Sequence, residues 1–196
     1  DVALAAVAWR GELAEGEVNG VDRQATGNDL YGAYGRDFTT SDDRRVMVVA
    51  ITDRQWTGLL AATETAVVVD EIENELGVDF GDEGARFTAR DRLGEIFTPW
   101  FADRSLSQVA ETLDAHGVCW GPYRTFRQML DEDPRCSLGN PMFAEVDQPG
   151  VGVHLVPGSP LAFGELDARE RGAAVAPRLG EHTEEVLANE LGLGST

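Results

Sequence analysis

Residues 37–63 read DFTTSDDRRVMVVAITDRQWTGLLAAT, and two kinds of element follow one another within them. A short strand at the start, a polar turn over Ser41–Arg44 and an apolar run Val46–Ile51 predict a β-hairpin with a buried second strand. From Asp53 onward Trp56, Leu59 and Leu60 fall on one helical face, so a helix should follow directly. A hairpin leading straight into an amphipathic helix predicts mixed α and β structure.

On the N-terminal side, NGVDRQATGNDLYGAYGRDF (19–38) is rich in Gly, Asn and Asp and reads as a loop. Residues 1–18 before it read as one helix. On the C-terminal side, TAVVVDEIENELGVDF (65–80) is ambiguous, apolar enough for a strand at its start and helical later. GDEGAR (81–86) reads as a linker, or as the loop before the helix FTARDRLGEIFTPWFAD (87–103). Ser105 caps a helix ending at Gly117, VCWGPY (118–123) makes a short strand and turn, and Arg124–Glu132 is a short helix stopped by Asp133-Pro134. Residues 140–164 alternate short strands with Pro and Gly turns. The polar run ELDARERGAAVAPRLG (165–180) then leads to a last helix, with Thr183 or Glu181 available to cap it and Val186, Leu187 and Leu191 on one face.

A chain of 196 residues is long enough to bury a core. It opens on DVALAAVAW, which reads as a helix already under way, so further sequence is expected to precede it. Thirty-five acids face 16 bases, for a formal charge of −19, and all 16 of those bases are Arg, since the sequence contains no Lys. Such a surface repels phosphates and argues against nucleic-acid binding. With 42% hydrophobic residues the chain should fold rather than stay disordered. A Lys-free acidic surface suits a salt-loaded cytoplasm, where screening relieves self-repulsion, and a halophilic source is expected. Cys119 and Cys136 are too few for a disulfide framework and lack metal-ligand spacing, which also fits a reducing, cytoplasmic setting. No apolar run reaches the ~20 residues of a membrane-spanning helix.

None of the general catalytic signatures occurs: no P-loop, no G-x-S-x-G, no H-E-x-x-H and no C-x-x-C. His116, His154 and His182 are far apart in sequence and each reads as structural. His116 stands at a helix end, where an imidazolium suits the dipole.

Three segments nevertheless carry a resemblance. APRLGEHTEEVLANELGL (176–193) is similar to the C-terminal signature of the family III CoA transferases. GVCWGPYRTFRQMLDEDPRC (117–136) resembles that family's Gly-Val-Pro-x-Gly-Pro segment, with Cys119 where Pro is usual. GNDLYGAYGRDFTTSDDRRVMVVAITDRQW (27–56) resembles its glycine loop, strand pair and helix. Within the family, the run from Asn19 to Trp56 looks most like the mesaconyl-CoA (2-methylfumaryl-CoA) transferases. The match corresponds to the C-terminal half of the family.

The resemblance implies an α/β fragment of an interlocked homodimer, with a Rossmann-like large domain and a small α/β domain. Residues 1–28 would be large-domain helix and linker, 29–154 the small domain, and 155–196 the return to the large domain. It implies CoA transfer between carboxylic acids, either between the C1 and C4 carboxyls of mesaconate or to mesaconate from succinyl-CoA, through an aspartyl-CoA thioester, with coenzyme A entering as acyl-CoA substrate, a small carboxylic acid as partner, and no metal. The fragment alone would be inactive. DVALA matches the context of the family's nucleophilic aspartate, which makes Asp1 the candidate catalytic residue; as a bare residue it also reads as an exposed terminal residue or a helix N-cap. Gly32 and Gly35 would bring backbone N–H groups close to substrate, Tyr31 and Tyr34 would wall it, and Arg36 would pair with its carboxylate. The same residues also read as an ordinary interdomain loop with a solvent-facing Arg. An α-methylacyl-CoA racemase of the same superfamily and a noncatalytic CoA-binding or assembly subunit are the rival functions.

Overall fold

A computed structural model describes residues 1–161 and 175–193, and the chain divides into two units, Asp1–Tyr123 and Arg124–Thr196. The architecture is mixed α/β. In the first unit the hairpin forms as the pattern predicts. Strand β1 (Tyr34–Thr39) pairs antiparallel with β2 (Arg45–Ala50), Tyr34 opposite Ala50 and Phe38 opposite Val46. The Thr40 hydroxyl donates to the Asp42 carboxylate at 2.6 Å and accepts from the Arg44 amide at 3.1 Å, which fixes the turn. Strand β3 (Cys119–Pro122) joins the far side of β2, giving the order β1-β2-β3.

Side chains alternate across a strand, and the alternation places Tyr34, Phe38, Val46, Val48 and Ala50 in the core. Four helices close over them: α3 (Asp53–Thr63), α4 (Ala66–Leu76), α6 (Arg90–Ala102) and α7 (Leu106–Ala115). Helix α6 lies against β1, and α3 against β2 and α7. Leu59, Leu93, Phe97, Phe101, Val109 and Leu113 are completely inaccessible to solvent. Phe38 stacks on Phe101 with ring centroids 4.3 Å apart, and Tyr34 meets Trp56 and Phe97 edge-on at 5.7 and 5.5 Å. Reciprocal capping boxes start α3 (Thr52 with Gln55) and α7 (Ser105 with Gln108).

Several sequence expectations are corrected. The single N-terminal helix is two, α1 (Val2–Trp9) and α2 (Glu12–Asn19), because Gly11 takes a left-handed φ of 83° between them. No residue of either helix is buried. The ambiguous run 65–80 is helix α4, which buries Val69 and Ile72 and ends at Gly77. The expected linker GDEGAR holds most of α5 (Glu83–Thr88), started by the Asp82 carboxylate accepting from the Gly84 amide at 2.7 Å. The helix expected from Phe87 onward therefore breaks at Ala89.

The second unit opens with α8 (Phe126–Glu132), capped by Thr125 with Gln128 and followed by a 3-10 turn Pro134–Cys136. Strands β4 (Phe143–Gln148) and β5 (Gly152–Pro157) form an antiparallel hairpin. The sequence-based boundary after residue 154 falls inside β5, and that after residue 28 lies within the first unit. Helix α9 (Thr183–Asn189) has no side-chain cap: His182 occupies the N-cap position, and the Glu181 carboxylate accepts instead from the Arg178 amide at 2.5 Å. Residues 165–174 of the polar run lie outside the described residues.

Candidate functional site

Tyr31, Gly32, Tyr34, Gly35 and Arg36 share one loop-to-strand segment, and local geometry explains its glycines. The Leu30 amide donates to the Gly35 carbonyl at 2.8 Å, folding the loop back onto the start of β1. A Cβ at Gly35 would stand 2.6 Å from Leu30 Cβ, so any side chain there would push the loop off the strand. Gly32 has a φ of 82°. Asn28 Nδ2 donates to Asp37 Oδ1 at 3.1 Å, a second tie between loop and strand.

Tyr31 is half exposed, and its hydroxyl donates to Glu15 Oε1 at 2.6 Å. Arg23 Nε donates to Glu15 Oε2 at 2.8 Å while the Arg23 guanidinium lies 3.7 Å from the Tyr31 ring centroid. The Tyr31 hydroxyl and Arg23 hold the Glu15 carboxyl below its ordinary range, and the same hydrogen bond raises the Tyr31 phenol. This trio joins α2 to the loop. Tyr34 is fully buried and belongs to the core of the unit; burial pushes its phenol strongly up, and its hydroxyl has no hydrogen-bond partner among the described residues.

Arg36 neither faces solvent freely nor presents an empty fork. Its Nη1 donates to the Arg90 carbonyl at 3.1 Å, its Nη2 to Asp91 Oδ1 at 2.8 Å, and its Nε lies 3.1 Å from Asp29 Oδ1. Burial alone would lower its pKa, but the Asp91 hydrogen bond and the charges of Asp29 and Asp91 raise it. A substrate carboxylate would have to displace one of these partners.

Asp1 stands apart. It occupies the N-cap position of α1, exposed, without a side-chain cap bond. A recess of about 590 Å³ opens beside the hairpin, lined by Asp37, Thr39, Ser41, Arg45 and Thr98 among others; none of residues 31–36 borders it. The histidines hold local contacts: His116 Nδ1 to the Thr112 carbonyl at 2.9 Å, His154 Nδ1 to the Gly152 carbonyl at 3.2 Å, and His182 Nδ1 to Glu185 at 3.5 Å. Among the described residues no group of three or more His, Cys, Asp or Glu is placed to hold a metal ion, and no helix is long and apolar enough to cross a membrane.

Sequence reasoning missed Glu15, Arg23, Asp29, Arg90, Asp91 and Gly94. Only Gly94 carried a readable signal, because a glycine inside a helix costs ~1 kcal/mol relative to Ala and implies a close neighbour.

Comparison with known proteins adds to this geometry. The chain is 47% identical over 193 residues to the 2-methylfumaryl-CoA isomerase of Chloroflexus aurantiacus, covering 98% of this chain and 47% of that protein. It is 26% identical over 166 residues to the succinyl-CoA–L-malate CoA-transferase alpha subunit of Chloroflexus aurantiacus, covering 85% of this chain and 36% of the relative. Among solved structures it resembles a CaiB/BaiF family protein from Brucella suis, at 18% identity and a TM-score of 0.63, over 91% of this chain and 43% of that one. The chain thus spans about half the length of the 2-methylfumaryl-CoA isomerase it matches. The family pattern described as CoA-transferase family III matches residues 2–183, and the chain belongs to that family.

Proposed function

We propose that the protein to which this chain belongs moves CoA between two carboxyl groups of a mesaconyl (2-methylfumaryl) skeleton. The observation that carries this reading is the 47% identity, sustained over 98% of the chain, to a 2-methylfumaryl-CoA isomerase. Intramolecular transfer is favoured over transfer from succinyl-CoA, because the succinyl-CoA-dependent relative is only 26% identical. In this reading the working molecule is an interlocked dimer of full-length subunits.

The chemistry needs an enzyme carboxylate, and Asp1 is the candidate within this chain. One carboxylate oxygen attacks the thioester carbonyl, and collapse of the tetrahedral adduct gives a mixed anhydride and CoA thiolate. The thiolate attacks the aspartyl carbonyl, releasing the substrate carboxylate and leaving an aspartyl-CoA thioester. The second substrate carboxylate attacks that thioester, and the freed thiolate then attacks the substrate carbonyl of the new anhydride. CoA ends on the other carboxyl and the aspartate is regenerated. A carboxylate is a weak nucleophile, so holding the partners in register must supply much of the rate, up to ~7–11 kcal/mol.

The test is to incubate the full-length protein with 2-methylfumaryl-CoA and follow migration of CoA between the carboxyls. Hydroxylamine should trap an aspartyl hydroxamate, and Asp1→Asn should abolish both migration and trapping. Migration that persists in Asp1→Asn would place the nucleophile elsewhere in the protein; no migration by the parent enzyme would end the functional reading.

A further inference from the structure

Arg36 and Gly94 face one another across the junction of β1 and α6. A Cβ on Gly94 would overlap the Arg36 guanidinium, so the helix is cut back to hydrogen where the cation crosses it. The cation reaches in three directions: to the Asp29 carboxylate in the glycine loop, to the Arg90 carbonyl, and to the Asp91 carboxylate on the first turn of α6. Arg90 closes the circuit from the helix side, its Nε 3.3 Å from Asp29 Oδ2 in a charge contact without hydrogen-bond geometry. Asp29 thus lies between two guanidinium groups, its side chain only 10% exposed. One residue before the loop's Leu30–Gly35 hydrogen bond, the chain is therefore pinned to a helix more than fifty positions away.

We infer that Arg36 is a positioning residue: with Asp29, Arg90 and Asp91 it latches the loop Gly27–Gly35 onto α6 and so sets where that loop's backbone N–H groups stand. The inference rests on the reading that this loop borders the CoA-transfer site. A bidentate fork fits the task, because a planar guanidinium binds two acceptors at a fixed angle, which a lysine ammonium does not. The absent Cβ at Gly94 is the second requirement. Helix propensity alone favours Ala there, and the glycine leaves room for the Arg36 fork.

The experiment uses the full-length protein and the variants Gly94→Ala, Arg36→Lys and the double variant, with Asp91→Asn as a milder change at an exposed carboxylate. Amide hydrogen exchange of residues 28–33 is read beside kcat and KM for CoA migration. Gly94→Ala should speed exchange in that segment and lower kcat roughly ten- to hundredfold, the range set by an ångström-scale misplacement. KM should change little. Arg36→Lys should do the same, the double variant should be no worse than either single, and Asp91→Asn should shift both readouts in the same direction by less. Unchanged exchange in Gly94→Ala and Asp91→Asn would overturn the latch. Faster exchange with unchanged kcat would overturn the positioning role. Absence of migration in the parent enzyme would sink the functional reading while leaving the exchange result standing.

Discussion

Arg86 shows what a single side chain does in the first unit. It is wholly buried, donating from Nη1 to the Phe80 carbonyl and from Nη2 to the Ile51 carbonyl, each at 2.7 Å. Its guanidinium lies 5.4 Å from the Trp56 ring centroid, and Asp53 at 3.8 Å is too exposed to serve as a strong counter-ion. The residue therefore joins the end of β2 to the segment before α5. Arg86→Met preserves much of the volume but orphans two carbonyls, each worth ~1–3 kcal/mol when buried unpaired. Loss of the buried charge offsets part of that, leaving an expected destabilisation of ~2 kcal/mol or more. The urea midpoint should fall, and an unchanged or higher midpoint would refute the staple. Nothing near Arg86 in sequence announces this, since its acceptors are six and 35 residues away. Arg36 was hidden for the same reason, its partner Asp91 lying 55 positions along.

Among elements, the legible ones carried their own stop and start chemistry. The hairpin was readable because Thr40–Arg44 holds a self-contained turn between alternating strands, and the Ser105 helix because its cap lies in sequence beside it. Helix α4 was not, since its β-branched Val67–Val69 suit a strand equally well and only packing of Val69 and Ile72 decides. Helix α5 was hidden by two glycines and two acids, Gly81, Asp82, Glu83 and Gly84, that read as loop. The turn after α8 makes the testable case. Asp133 accepts from the Arg135 amide at 3.0 Å, from Arg135 Nη2 at 2.6 Å and from Arg124 Nη1 at 3.3 Å. The hydrogen bonds from Arg135, assisted by its charge and that of Arg124, hold this carboxyl well below the ordinary range. A carboxyl lowered in the folded state stabilises the fold above its unfolded value of ~3.9 and loses that contribution as pH falls further. Asp133→Asn should therefore lower the denaturant midpoint at neutral pH, and the gap to the parent should close as pH drops below about 4. A pH-independent gap would show that packing, not charge, is at work.

For the whole molecule the sign of the charge balance decides the response to salt. With 35 acids against 16 bases and a formal charge of −19, like-charge repulsion outweighs attraction in the net field, so added salt screens more repulsion than attraction. The thermal midpoint should rise between about 0.05 M and 1 M potassium chloride, as the screening length falls from well over 10 Å to about 3 Å. A falling midpoint would mean that pairs such as Arg36–Asp91 outweigh the net field. Helix α1 sets a limit on this benefit. Val2, Leu4 and Trp9 lie on it with 87%, 64% and 86% of their surfaces in water. Strongly excluded salts such as sulfate drive apolar surface together as well as shielding charge. Handled as an isolated polypeptide in ammonium sulfate, this sequence should therefore become sturdier and stickier at once, with Trp9 fluorescence shifting to the blue as molecules cluster.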